Sequence, residues 1–169
     1  MHNYTAQISW YRGNQTFIDQ RYSRRHQINF DGGQQISASS SPHIVRVPLS
    51  DPTGADPEEL FVASLSSCHM LWFLSLAAEC GFCVDSYVDN VSGVMSPADD
   101  GKLVMSVVIL RPDANFSGDK LPTAKEILHL HHRAHEECFI ANSVRTDVRC
   151  EPVLNDIQSV LSQKHSTDQ

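Results

Sequence analysis

The longest apolar run of the chain extends from Leu60 to Ala78, broken only by four serines, Cys68 and His69. It is about long enough to span a bilayer. Its polar interruptions, and the flanking Glu58, Glu59 and Glu79, read instead as a core helix. The start signal is strong. Asp56 can cap, Pro57 suits the first helical position, and Glu59 sits three residues after the cap. Gly81 is placed to end the helix. The pattern therefore predicts a central helix over about 57–80. Being apolar on nearly all sides, it should be buried all round.

Elsewhere the pattern has a period of two. "YTAQISWYR" alternates, and "SRRHQINFDGGQQISASSS" reads as two strands joined at Asp31-Gly32-Gly33, which places N-terminal strands within about 3–40. "SPHIVRVPLSDPTGADP" is a loop rich in Pro, Ser and Asp. "VDSYVDNVSGVM" and "GKLVMSVVILRPD" flank "SPADDG" and predict a second hairpin over about 84–112. Pro122 opens a second helix over about 122–138, a closing strand follows over about 143–153, and "NDIQSVLSQKHSTDQ" reads as a short terminal helix. The order is three strands, helix, two strands, helix, strand, an α+β pattern. No repeat or linker divides it, so residues 1–169 are expected to form a single domain.

Composition narrows the function more than the fold. The formal charge of −7 and the lack of a long basic run argue against nucleic acid as a partner. The opening "MHNYTAQISWYRGNQ" lacks a basic segment followed by an apolar one, so no secretory signal is expected. Five cysteines without such a signal imply a reducing, cytoplasmic setting and free thiols. Neither a membrane partner, a cofactor nor a metal is expected.

Four groups of residues could carry chemistry. Cys68 lies inside the apolar helix and Cys138 near the end of the second. Burial alone raises a thiol's pKa, so a reactive Cys68 needs a nearby cation. Otherwise the two are ordinary core cysteines. "CGFC", Cys80 to Cys83, has redox or metal half-site spacing. It falls at a helix C-terminus, where the dipole disfavours a thiolate, so chance spacing is the better reading. In "HLHHRAHEEC", His131 and His135 are four apart and His129 and His132 three apart. Such pairs can bind zinc, with Glu136 or Cys138 assisting, but an exposed or hydrogen-bonded histidine cluster is the better reading. Finally, "DPEEL" places Glu58 at a helix start, and "QRYSRRH" supplies Arg21, Arg24 and Arg25.

Taken together, these residues resemble the OsmC/Ohr family of osmotically inducible and organic-hydroperoxide-resistance proteins. "ADPEELFVASLSSCHM" is similar to the family's N-P-E-x-L, followed ten residues on by the reactive cysteine, as Cys68 follows Glu58. "AHEECFIANSV" is similar to A-H-x-x-C-P-x-S-N and makes Cys138 the partner cysteine. Phe139 stands where the family usually has proline, and His69 adjoins the reactive cysteine, which suggests a divergent OsmC-like branch.

The resemblance implies an OsmC-like fold, with antiparallel sheets wrapped around a long buried central helix in an intertwined homodimer. It implies a thiol peroxidase. Cys68 would attack an organic hydroperoxide, Cys138 would resolve the sulfenic acid as a disulfide, and a thiol or lipoyl-type dithiol would reduce it. An arginine, Arg24 or Arg25, would stabilise the Cys68 thiolate and be held by Glu58, with His69 a candidate auxiliary. The alternative is a redox-sensing or small-molecule-binding protein of the same fold with little or no turnover. Geometry adds one expectation. On a straight helix, ten residues separate Glu58 and Cys68 by about 15 Å, with side chains about 80° apart. One arginine cannot span that, so the Glu58 serving each Cys68 should come from a second copy.

Overall fold

A computed structural model describes residues Met1–Leu154. The terminal helix expected after them lies outside the described residues. The chain divides into two compact units, Met1–Phe61 and Val62 onward, with the boundary inside the central helix.

Unit 1 carries strands β1 (Ala6–Ser9), β2 (His26–Phe30) and β3 (Gln35–Ala38) in one antiparallel sheet of that order. The turn falls where the glycines predict it. Gly33 takes φ 86°, and its N–H donates to the Phe30 carbonyl at 2.9 Å. Alternation puts Ile8, Ile28 and Ile36 opposite one another in a row across the sheet. The polar residues Gln7, Gln27, Asn29, Gln35 and Ser37 take the other face. Between β1 and β2, the rings of Trp10, Phe17 and Tyr22 pack together, and the Trp10 indole N–H donates to the Ser23 carbonyl at 2.8 Å.

The central helix α1 spans Pro57–Glu79, as its end signals predict. Asp56 Oδ1 accepts from the Glu59 N–H at 2.8 Å, and Glu59 Oε2 accepts from the Asp56 N–H at 3.1 Å, a complete capping box. At the other end Gly81 takes φ 75°. Its N–H donates to Ala78 and that of Phe82 to Ala77, both at 2.9 Å. This pair closes the last turn and needs a left-handed residue at position 81.

In unit 2 only one face of α1 is buried, through Leu65, His69, Phe73, Leu76 and Ala77. The expectation of burial all round does not hold within one chain, because Leu71 is 61% exposed and Ser67 and Ser75 face outward. The buried face meets the core of Phe73, Leu76, Ala77, Phe82, Leu130 and Ala134.

The second hairpin is longer than predicted and bent. Its legs form four strands, β4 (Cys83–Asp89), β5 (Ser92–Pro97), β6 (Leu103–Leu110) and β7 (Pro112–Ser117). β4 pairs with β7 and β5 with β6, in separate sheets. The break has a visible cause. Asp89 Oδ1 accepts the Arg111 N–H at 2.6 Å at the point where the two ladders part, and Asp89 Oδ2 accepts from Ser66 Oγ at 2.5 Å. The carboxylate thus interrupts the ladder and ties the bend to α1. Helix α2 (Ala124–Glu137) begins later than Pro122, because Thr123 caps it in a capping box with Glu126. A single 3-10 turn, Ala141–Ser143, follows. Strand β8 (Asp147–Cys150) then pairs parallel to β6, shorter than the 143–153 predicted.

Candidate functional site

Successive residues of a helix point about 100° apart, so Cys68 and His69 leave α1 on different faces. Cys68 lies on the open one. It lines an apolar groove of about 540 Å³ with Ser64, Ser67, Leu71, Trp72, Phe139 and Ile140. Trp72 and Phe139 meet edge to face, with ring centroids 5.5 Å apart. Phe139 therefore fills a wall of the groove and is 67% exposed at its mouth.

The structure brings Cys138 to the same place. It is the C-cap of α2 and is buried, with both cysteines present as free thiols. Burial, and then a hydrogen bond with the Cys68 thiol, push Cys138 up to about 11. Its sulfur also accepts the Ala141 N–H at 3.4 Å. The following residues fix this loop. Asn142 Nδ2 donates to the Glu136 carbonyl and Ser143 Oγ to that of Phe139, each at 2.7 Å. Two sulfurs 70 residues apart in sequence thus meet at the edge of an apolar groove.

The charged residues expected to serve Cys68 lie in unit 1, where the side chains of Arg24 and Arg25 are engaged. The Arg24 guanidinium sits 3.8 Å from the Tyr22 ring centroid and donates to the carbonyls of Gln20 and Tyr22. Arg25 pairs with Asp51 at 2.8 Å on an exposed surface. Arg21 is exposed and donates its own backbone N–H to Asp19 at 3.0 Å. Glu58 keeps Oε2 buried without a hydrogen-bond partner. Helix α1 is unbroken from Pro57 to Glu79, so Glu58 and Cys68 stay about 15 Å apart along its axis.

His69 is no neighbour of the groove. It lies in the core, where Nε2 meets His131 Nδ1 at 3.0 Å, with the two rings nearly parallel. Burial keeps both imidazoles neutral, pulling His69 down to about 4 and His131 to about 3. The histidine run of α2 therefore splits by face. His131 is buried, while His132 pairs with Glu136 at 3.4 Å on the surface. Cys150, which the sequence did not single out, lies 3.7 Å from His69 Nε2. Its parallel pairing to β6, opposite Leu110, carries it there, and only tertiary topology reveals that. Cys80 packs against the core, whereas Cys83 is exposed at the start of β4. Lys120 Nζ donates to the Cys80 carbonyl at 2.6 Å, satisfying the end of α1.

Comparison with known proteins agrees with this architecture. A search of curated proteins found no match. Among solved structures, an OsmC-like protein of unknown function from Vibrio cholerae shares 49% identity, covering 90% of this chain and 100% of its own, with a TM-score of 0.89. An organic hydroperoxide resistance protein from Elizabethkingia anophelis shares 18% identity over 92% of this chain and 98% of its own, with a TM-score of 0.67. One from Bacillus subtilis shares 18% over 90% and 98%, with a TM-score of 0.62. At that identity the last two speak for the fold alone. The family model described as OsmC-like protein matches residues 50–152, which hold the helix start, both paired cysteines and the bent hairpin, and the chain belongs to that family.

Proposed function

We propose that the protein is a thiol peroxidase for organic hydroperoxides. The observation that carries this reading is the contact of Cys68 and Cys138 at the edge of an apolar groove. Cys68 thiolate attacks the terminal peroxide oxygen. The O–O bond breaks, Cys68 becomes a sulfenic acid, and the alkoxide takes a proton to leave as an alcohol. Cys138 then attacks the sulfenic sulfur as its thiolate, and hydroxide leaves as water once protonated, giving the Cys68–Cys138 disulfide. A dithiol of the lipoyl class returns both cysteines to thiols and is itself oxidised to a disulfide. Leu71, Trp72, Phe139 and Ile140 give the groove its preference for an apolar peroxide over hydrogen peroxide. The reading places the protein in the cytoplasm, where such thiols stay reduced.

The active unit in this reading is a homodimer. Unbroken α1 holds Glu58 away from Cys68, and Glu58 Oε2 is buried without a partner. A second copy packed on the open face of α1 would bring its own Glu58 and an arginine to each Cys68. The same residues favour a second reading. Arg24 and Arg25 are spent within unit 1, and a Cys68 without a cation suits a sensor or binding protein with little turnover. Steady-state assays with cumene hydroperoxide against hydrogen peroxide, with dihydrolipoamide present, decide between them. Turnover is expected with the alkyl peroxide, together with a Cys68–Cys138 disulfide in mass spectra. Stoichiometric oxidation without turnover would establish the sensor.

A further inference from the structure

The buried cluster of His69, His131 and Cys150 is separate from the peroxide groove and is not used by its chemistry. The three residues come from α1, α2 and the end of β8, so the fold, not local sequence, assembles them. His69 and His131 are 0% and 3% exposed. One donor atom from each residue lies within 4.8 Å of the other two. Two of the separations are 3.0 Å between nitrogens and 3.7 Å from Cys150 sulfur to His69 Nε2. Around tetrahedral zinc, with bonds of about 2.0–2.1 Å to nitrogen and about 2.3 Å to sulfur, the corresponding edges are about 3.4 Å and 3.6 Å. The third edge, at most 4.8 Å, needs at most about 1.2 Å of closure.

The polar atoms around the cluster are not satisfied by one another. Two neutral imidazoles sharing one hydrogen bond must leave one N–H and one bare nitrogen over, whichever tautomers they adopt. These are His69 Nδ1 and His131 Nε2, both buried without a partner. Tyr87 Oη is a third such atom, on a ring 6.4 Å from that of His131. A core that only needed filling would carry apolar side chains here at less cost.

We propose that His69 Nε2, His131 Nδ1 and Cys150 Sγ bind a divalent transition metal of the zinc class. Two imidazole nitrogens and a cysteine sulfur are donors that suit zinc. Ligation through Nδ1 fixes the proton of His131 on Nε2 and so settles the tautomer of a nitrogen that is otherwise buried without a partner. Cys150 releases its thiol proton to solvent on binding. A cavity of about 210 Å³, lined by His131, His135, Cys150, Val148 and Pro152, adjoins two of the three ligands and has room for a fourth. Three protein ligands with an open fourth position is the arrangement of zinc sites that take water or an exogenous ligand. Within "HLHHRAHEEC", His131 thus ligates with residues from other elements, and His135 lines the approach.

The test uses full-length protein made without an affinity tag, stripped with chelator and titrated with Co²⁺ and then Zn²⁺. One Co²⁺ per chain is expected, with a thiolate-to-cobalt charge-transfer band and the strong visible absorption of a tetrahedral site. The band should vanish in Cys150→Ser and persist in the Cys68→Ser, Cys138→Ser double variant. Zn²⁺ should raise the melting temperature of the wild type by roughly 5 °C or more and leave Cys150→Ser unmoved. In the wild type alone, Zn²⁺ should protect Cys150 from alkylation while Cys68 still reacts, a readout that does not depend on any variant folding. Absence of the band and of the protection would overturn the proposal. So would a band that survives Cys150→Ser and disappears with Cys68 and Cys138. None of these readouts depends on peroxide turnover.

Discussion

Unit 1 buries small and polar side chains: Ala38, Ser39, Ser41, Ser50 and Asp56. Unit 2 buries Leu65, Phe73, Leu76, Val108, Leu110, Ile127 and Leu130. Both have sheets with an apolar face, but only the second closes a core over it. In the first, Ile8 is 63% exposed and Phe30 38%, although the row Ile8, Ile28 and Ile36 is laid out as cleanly as any inner face. An apolar sheet face left open in one chain is a surface waiting for cover. The contrast therefore separates two tasks. In the proposed reading, unit 2 holds the paired thiols and unit 1 offers its open sheet face to a second copy.

The largest expected effect falls on the chemistry. Cys68→Ser should lower alkyl hydroperoxide turnover by at least about a thousandfold while leaving the oligomer intact. Cys138→Ser should complete one turnover and then stall or overoxidise at Cys68. Full activity in Cys68→Ser would remove unit 2 from the reaction. Between these extremes, the resolving step carries its own signature. Burial raises Cys138 above its ordinary value of 9.0, to about 11, so its thiolate is scarce at neutral pH. Below the raised value the thiolate fraction grows about tenfold per pH unit, and so should the rate of disulfide formation in rapid-mixing experiments after a single peroxide pulse. A rate flat between pH 7 and 9 would place resolution elsewhere. The sign for stability is opposite. A raised thiol pKa contributes stability that is fully present below the unfolded value and is lost as pH climbs through the folded one.

A smaller effect tests the other half of the contrast. Ile8→Asp alters a residue already exposed in one chain, so a monomer would hardly register it. If a second copy covers the sheet, the charge must be desolvated at the interface, and the dimer dissociation constant should rise about tenfold or more by sedimentation. Turnover per chain should fall in step with dissociation. A monomer that retains full turnover would refute the shared site.

What could be read from the sequence followed how locally it is encoded. Asp56, Pro57, Glu59 and Gly81 each act within one helical turn, and they set α1 within a residue of its expected end. Asp31-Gly32-Gly33 fixed the first turn for the same reason. The bend of the second hairpin was hidden, because it depends on Asp89 meeting Arg111 and Ser66, each more than twenty residues away. The site divides likewise. Cys68 and Cys138 stand in motifs, whereas Cys150 reaches His69 across 81 residues through a strand pairing that no spacing announces. Burial of α1 on every side was expected because its composition is uniform, yet one chain has only enough partners for one face.

The smallest effect concerns the other cysteine pair of unit 2. Cys80 and Cys83 share the spacing of a redox dithiol, and they sit where α1 hands over to β4. Gly81 lies between them in a left-handed conformation that closes the helix, so the segment is built as a helix stop. Cys80 packs its side chain against the core, and Cys83 is exposed at a strand start. Neither lines the groove that holds Cys68. Lys120 donates to the Cys80 carbonyl and lies over the Phe82 ring at 4.7 Å, which accounts for this cation without any thiol chemistry. Replacing both cysteines by alanine should therefore leave turnover per folded molecule unchanged. The loss of the half-buried Cys80 sulfur should cost about 1 kcal/mol of stability in denaturant unfolding. If turnover disappeared while the fold and the Cys68–Cys138 disulfide survived, the pair would be a relay for the reductant, and the chemistry of unit 2 would extend to the far end of α1.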